Sequence, residues 1–144
     1  MPFWKTRKKK IKRSTADHWF SLYIRLRDVI DGSNGFCRCI TCNNAFFWKE
    51  GDCGHFVTRN HPMTRFDERN CNAQCKECNN VKNGDQYNHG FKINMKHGVG
   101  TADLLVDLGG VRGQKVHGQL SLKAIASLYR IKAKSEANKK GIEL

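Results

Sequence analysis

Two cysteine doublets restrict this chain more than anything else in it: Cys39-Ile-Thr-Cys42 and Cys75-Lys-Glu-Cys78, with 32 residues between them. A C-x-x-C turn brings two thiolates to one ion at about 2.3 Å, and two such turns complete a tetrahedral zinc site. Any fold the chain adopts must close that loop onto itself. A thioredoxin-like redox motif would need an alternating strand and helix setting, which the flanking sequence does not offer. Seven cysteines cannot all pair as disulfides, and short-spaced thiols in a reducing compartment read as metal ligands. Cys37 competes with Cys39 for the site, but Cys39 makes the tighter doublet with Cys42. Cys53 and Cys71 are not needed once four thiolates close the site.

A structural metal suits the size of the chain. Its 144 residues allow one domain, or one small domain with arms, and a limited core. A hydrophobic content of 39% argues against wholesale disorder. No apolar run approaches a membrane span, and none follows the charges at the N-terminus, so a soluble, cytoplasmic protein is expected. The net charge is +13, and seven Lys or Arg fall within the first thirteen residues. Such a charge attracts polyanions, nucleic acid first among them. Basic residues recur at Arg59, Arg65, Arg69, Lys76 and Lys82 and along the C-terminal segment.

Periodicity gives the elements. Residues 14–32 read as an amphipathic helix, capped by Ser14 or Thr15, closed by Gly32, with Trp19, Tyr23, Leu26 and Ile30 on one face. Residues 33–44 form a knuckle. Residues 45–59 read as two short strands around a turn at residues 50–52. Residues 60–74 read as a loop with one helical turn, and residues 75–84 as a second knuckle opening a helix. Helices follow over 85–98, with Gly90 a weak point and Gly98 the stop, and over 101–110, capped by Thr101. The last, over 121–141, has an apolar side of Leu122, Ile125, Leu128, Tyr129 and Ile131.

With zinc satisfied by the doublets, His55 is available for chemistry. A histidine on a strand pair, followed by a helix opening at a zinc knuckle, is the outline of the ββα-metal nucleases. The motifs "CITC", "D-x-GH", "RFDERN" and "QCKECN-x-x-K" resemble the HNH endonuclease superfamily and, more narrowly, the lambda NinG (Rap) recombination endonucleases. Phage T4 endonuclease VII is similar in its paired C-x-x-C and in the Asn after the last Cys. The likeness covers the central third of the chain well and its flanks poorly.

The resemblance implies an α+β fold, a zinc-stabilised ββα-metal (HNH, His-Me finger) core flanked by helices. It divides the chain into a basic arm (1–13), a nuclease core with its N-terminal helix and zinc knuckles (14–100) and a C-terminal helical region (101–144). It implies a structure-specific DNA endonuclease that hydrolyses phosphodiester bonds in branched recombination intermediates such as Holliday junctions and D-loops. His55 matches the base that takes a proton from the attacking water. Asn70 matches the central Asn that holds the base and its loop. Asn79 matches the ligand of a catalytic divalent ion, Mg²⁺ or Mn²⁺. Gly54 departs from the pattern, because many relatives carry a second metal ligand there. Asp52 is the nearest carboxylate, and it must sit in a turn or bulge to share a site with His55. Lys82, Arg65 and Arg69 are candidates for phosphate contacts. Other readings stay open: a nicking or homing endonuclease with sequence preference, a non-catalytic zinc module that binds DNA, or an RNA-binding zinc protein. A junction presents two symmetric strands, so a homodimer is expected for a resolvase, with the first and last helices as its interface or as the protein's own core.

Overall fold

A computed structural model describes residues 12–144. Of the basic arm, only Lys12 and Arg13 fall within the described residues. Helix α1, Thr15–Arg27, starts where the sequence allows: the Asp17 N–H donates to Ser14 Oγ at 3.2 Å, and the Ser14 N–H donates back to the Asp17 carboxylate at 2.7 Å. It ends well before Gly32. Val29 bridges to Cys37, and the Ile30 N–H donates to the Phe36 carbonyl, so the chain leaves the helix to join a sheet.

Two small antiparallel pairs follow. β1, Phe36–Arg38, pairs with β2, Ala45–Phe47; β3, Asp52–His55, pairs with β4, Cys71–Gln74. The second register sets Asp52 against Gln74, Cys53 against Ala73, Gly54 against Asn72 and His55 against Cys71. This corrects the expected hairpin. The strands on either side of residues 50–52 exist, but a 3-10 turn at Trp48–Glu50 separates them and each pairs with a different partner. The stretch read as a loop supplies β4, after a four-residue helical turn, α2, at Pro62–Arg65. The second knuckle opens a single π-turn, Glu77–Val81, closed by Lys82 N–H donating to the Glu77 carbonyl at 3.0 Å. Three residues of positive φ, Asn83, Gly84 and Asp85, then lead into α3, Gln86–His97.

Gly90 is not a weak point in α3. A Cβ there would meet the Phe56 ring at 2.9 Å, so the missing side chain lets α3 close on Phe56. Helix α4, Thr101–Gly109, takes its cap from its neighbour rather than from Thr101: the Ala102 N–H donates to Asn94 Oδ1 at 2.9 Å. Phe56, Val57, Ile93, Ala102 and Leu105 form a small core between these elements.

The larger core lies where α5, Gln119–Lys139, packs on α1. Phe20 meets Tyr129 edge to face at 4.8 Å, with Ile24 and Leu26 fully buried nearby. The buried line of α5 is Tyr129, Ala133 and Ala137, a four-residue spacing with two alanines that let the helices approach. Leu128 and Ile131, expected on the apolar side, face outward. Lys140 ties the helix ends together, its ammonium donating to the carbonyls of Leu26, Arg27 and Val29 at 2.6–2.7 Å. Among the described residues no helix is long and apolar enough to cross a membrane.

Candidate metal centre and active-site cleft

The first doublet leaves β1 and the second leaves β4, and the Ile40 N–H donates to the Ala73 carbonyl at 3.1 Å to hold them face to face. The ligand sulfurs of Cys39, Cys42, Cys75 and Cys78 all lie within 4.8 Å of one another. The Cys42 and Cys75 sulfurs are 3.8 Å apart, which matches the edge of about 3.8 Å that a tetrahedron with 2.3 Å arms requires. Burial pushes the Cys39 thiol up, but N–H groups of Cys42, Cys75 and Thr41 and the Thr41 hydroxyl outweigh it and bring it down to about 6. Cys37 is different. It is fully buried, its thiol faces the Arg25 carbonyl at 3.3 Å, and burial drives it up to about 12. The four donors fit zinc, and Cys37 is a packed thiol.

Beside this cluster lies a cleft of about 540 Å³. Arg13, Asp17 and Ser21 line it from α1 and its lead-in; Lys76, Asn79, Asn80, Asn83 and Gly84 line it from the second knuckle, and Gln86 from the start of α3. Asp52, Cys53 and His55 come from β3, whose outer edge no other described strand pairs with. Side chains from both faces of β3 therefore reach the cleft, and Asp52 does so from a regular strand, with no bulge.

His55 Nε2 lies 3.0 Å from the Arg65 carbonyl. A carbonyl only accepts, so Nε2 carries the proton and Nδ1 keeps the lone pair. Burial lowers the His55 pKa to about 4, so the ring is neutral at neutral pH. Arg65 is placed inside, not at a DNA surface. It is 3% exposed, its Nε donates to Asp17 at 3.0 Å, and Nη2 makes a second bond to the same carboxylate. Asp17 thus caps α1 and anchors the residue whose carbonyl fixes His55.

Asn70 is fully buried and holds the loop between β3 and β4. Its Oδ1 accepts the Val57 N–H at 2.8 Å, and its Nδ2 donates to the carbonyls of Val57 and Thr64 at 2.9 and 3.1 Å. Its bonds go to the loop, while the imidazole itself rests on Arg65. Asn79 meets Asp52, donating from Nδ2 to the carboxylate at 3.0 Å; Asn80 donates to the same oxygen at 3.2 Å, and Lys76 lies 3.4 Å from the other. Gly54 is glycine for a local reason. A Cβ there would fall 2.2 Å from Gln74 Oε1, because the buried Gln74 side chain fills that space. Arg69 pairs with Asp67 at 2.6 Å, and Lys82 is exposed at the end of the π-turn; neither lines the cleft. Sequence reasoning gave no site role to Asp17, Lys76, Arg13 or Arg59. Asp17 had one usable signal, its place at the third position of a helix opened by serine.

These features define a mixed α+β protein with helices on small antiparallel sheets and a four-cysteine cluster able to hold zinc. The model of the family described as Bacteriophage Lambda NinG protein matches residues 3–140, and the chain belongs to that family. Neither a curated protein nor a solved structure gave a match.

Proposed function

We propose that the chain is a metal-dependent DNA endonuclease of the HNH type that acts on branched recombination intermediates. The observation that carries this reading is the gathering of His55, Asp52 and Asn79 at one cleft, beside a zinc-capable knuckle. The β3–β4 pair followed by the knuckle's helical turn has the order of a ββα-metal core. Membership of a phage family in the lambda NinG group supports a recombination role, and the net charge of +13 supports a nucleic-acid substrate.

Each side chain then has a task. His55 Nδ1 takes a proton from the attacking water. The Arg65 carbonyl accepts the Nε2 hydrogen bond, fixes the ring and stabilises the imidazolium that forms. Lys76, Arg13 and Arg59 offer positive charge to the phosphate backbone along the cleft. The Asp52 carboxylate suits a hard ion, Mg²⁺ or Mn²⁺, and an amide flip of Asn79, whose Nδ2 donates to that carboxylate at 3.0 Å, would add a second oxygen ligand. Such an ion, when bound, supplies charge neutralisation at the phosphoryl group. Asn70 keeps the β3–β4 loop closed, and the four cysteines hold the turn that carries Asn79.

The test is cleavage of a labelled four-way junction, a splayed duplex and a linear duplex in Mg²⁺. Wild type should cut the branched substrates in preference, and His55→Ala should abolish cutting while circular dichroism and the zinc of the four cysteines stay as they were. Cutting retained by His55→Ala, or loss from it of the zinc held by the four cysteines, would overturn the assignment. DNA binding without cutting by wild type would leave a non-catalytic zinc module.

A further inference from the structure

The two faces of β3 carry two different donor sets. Asp52, which accepts from the side-chain amides of the knuckle's Asn79 and Asn80, offers hard carboxylate oxygens. Cys53 and His55 alternate onto the other face, and Cys71 stands directly across from His55 on β4. Their ligand atoms, two sulfurs and a ring nitrogen, lie within 4.8 Å of one another, the same limit that the four-cysteine cluster meets. Cys71 is fully buried, while Cys53 and His55 open on the cleft.

We propose that Cys53, His55 and Cys71 form a second, soft-metal site for Zn²⁺, and that zinc there inhibits the enzyme by occupying its base. This rests on His55 being that base. Three protein ligands with a fourth position open to solvent is the coordination of an accessible zinc site, and Cys₂His is one of its known donor sets. A ligating histidine normally donates its other N–H to a carbonyl or carboxylate, as His55 does to Arg65 at 3.0 Å. Two thiolates and a neutral imidazole around a divalent ion sum to zero charge, so the half-buried site carries no net charge once filled. Softness separates the two sites at one cleft: Mg²⁺ takes the oxygens and leaves the thiolates, whereas zinc takes the thiolates. The His55 lone pair that binds zinc is the one that accepts the proton, so the two states exclude each other.

The experiment uses the full chain carrying one equivalent of zinc, under a non-thiol reductant, titrated with Co²⁺ and separately with Zn²⁺. One equivalent of Co²⁺ should bind beside the resident zinc, with thiolate-to-cobalt charge-transfer bands. Cys53→Ser should weaken that binding about 10-fold or more without loss of the first zinc. In the junction-cutting assay added Zn²⁺ should stop cutting in excess Mg²⁺, and in Cys53→Ser the inhibiting concentration should rise by a like factor, each protein measured against its own uninhibited rate. Binding of no ion beyond the resident zinc, or of an added ion whose affinity is unchanged in both Cys53→Ser and His55→Ala, would overturn the site. A second ion at the trio that left cutting unaffected would overturn the inhibition. Cobalt spectra need no catalysis, so a protein that never cut would sink the endonuclease reading while the spectra still decided the site.

Discussion

Asp17 is the residue on which the cleft's order depends. It is 4% exposed, closes the capping box of α1 and holds Arg65, itself 3% exposed, by two bonds. Removing one partner of a buried ion pair strands the other charge and costs about 3–5 kcal/mol, whereas replacing both by apolar groups of similar volume is often close to neutral. Asp17→Ala should therefore lose about that much stability in urea. The doubly apolar Asp17→Leu, Arg65→Met protein should recover most of it, with equilibrium unfolding as the measurement. This arrangement was not legible in the sequence, where Arg65 reads as one more basic residue near a nucleic-acid site. Nothing local distinguishes a buried arginine from a surface one; the partner that decides it lies 48 positions away. The cysteines were legible, because spacing alone brings each doublet to one ion. Histidines give the pH dependence. Burial lowers His55 to about 4 and His89 to about 3, against an ordinary value of 6.5. Both are neutral in the fold and charged in the unfolded chain below pH 6.5, so protons favour unfolding there. Stability should be full above pH 6.5 and fall as the pH drops towards 4 and 3. The urea midpoint followed from pH 7.5 to 4.5 should decline, and His89→Gln should flatten the slope.

At the scale of elements, long amphipathic segments were legible and short polar ones were not. The helix starting at Ser14 was expected within a residue of where it begins, since its cap and its apolar spacing agree. Strand β4 was missed because Cys71-Asn72-Ala73-Gln74 has no apolar alternation, yet all four residues are buried. The fold compensates with specific partners. Asn72 meets His89 at 3.1 Å and Lys96 at 2.9 Å, and Gln74 donates to Thr41 and to the Gly84 carbonyl at 3.1 and 2.9 Å. These partners come from distant elements, so no window of sequence contains the reason for the strand. The same holds for the end of α1, whose last carbonyls are satisfied by Lys140 at the far end of the chain. Hydrogen bonds to a charged group contribute about 1.5–3 kcal/mol, and a cation also complements the negative end of a helix. Lys140→Met keeps the stem and removes the ammonium; it should cost about 2–3 kcal/mol in chemical denaturation. Lys139→Met, whose ammonium instead pairs with Glu136 on the surface, should cost less than about 1 kcal/mol.

The whole molecule joins the metal centre, the main core and the cleft. Cys39 and Cys78 belong to the same buried cluster as Phe20, Tyr23 and Tyr129, and Cys42 and Cys75 pack against it. Below that cluster Glu68 accepts from Tyr23 and Tyr129 at 3.1 Å and pairs with Lys132, so α5 is fastened to the chain just ahead of β4. The first and last helices thus pack on each other within one chain through Phe20, Tyr23, Tyr129 and Ala133, and the segments read as core and C-terminal region share one interior. A zinc ion at the four cysteines would be bound by the fold and not by the unfolded chain, so its binding energy adds to folding stability. Stripping the protein with a strong chelator should lower its thermal midpoint by about 10 °C or more, because structural zinc binds with an apparent energy of about 10–16 kcal/mol in small zinc folds. The loss should not stay at the knuckle. Tyr129 packs on Phe20 at 4.8 Å within the cluster that the cysteines complete, so near-ultraviolet circular dichroism of the tyrosines should fall with the same midpoint as release of zinc. Two separate transitions would mean that the metal centre is a detachable unit, and Asn79 would then owe its place beside Asp52 to the cleft alone.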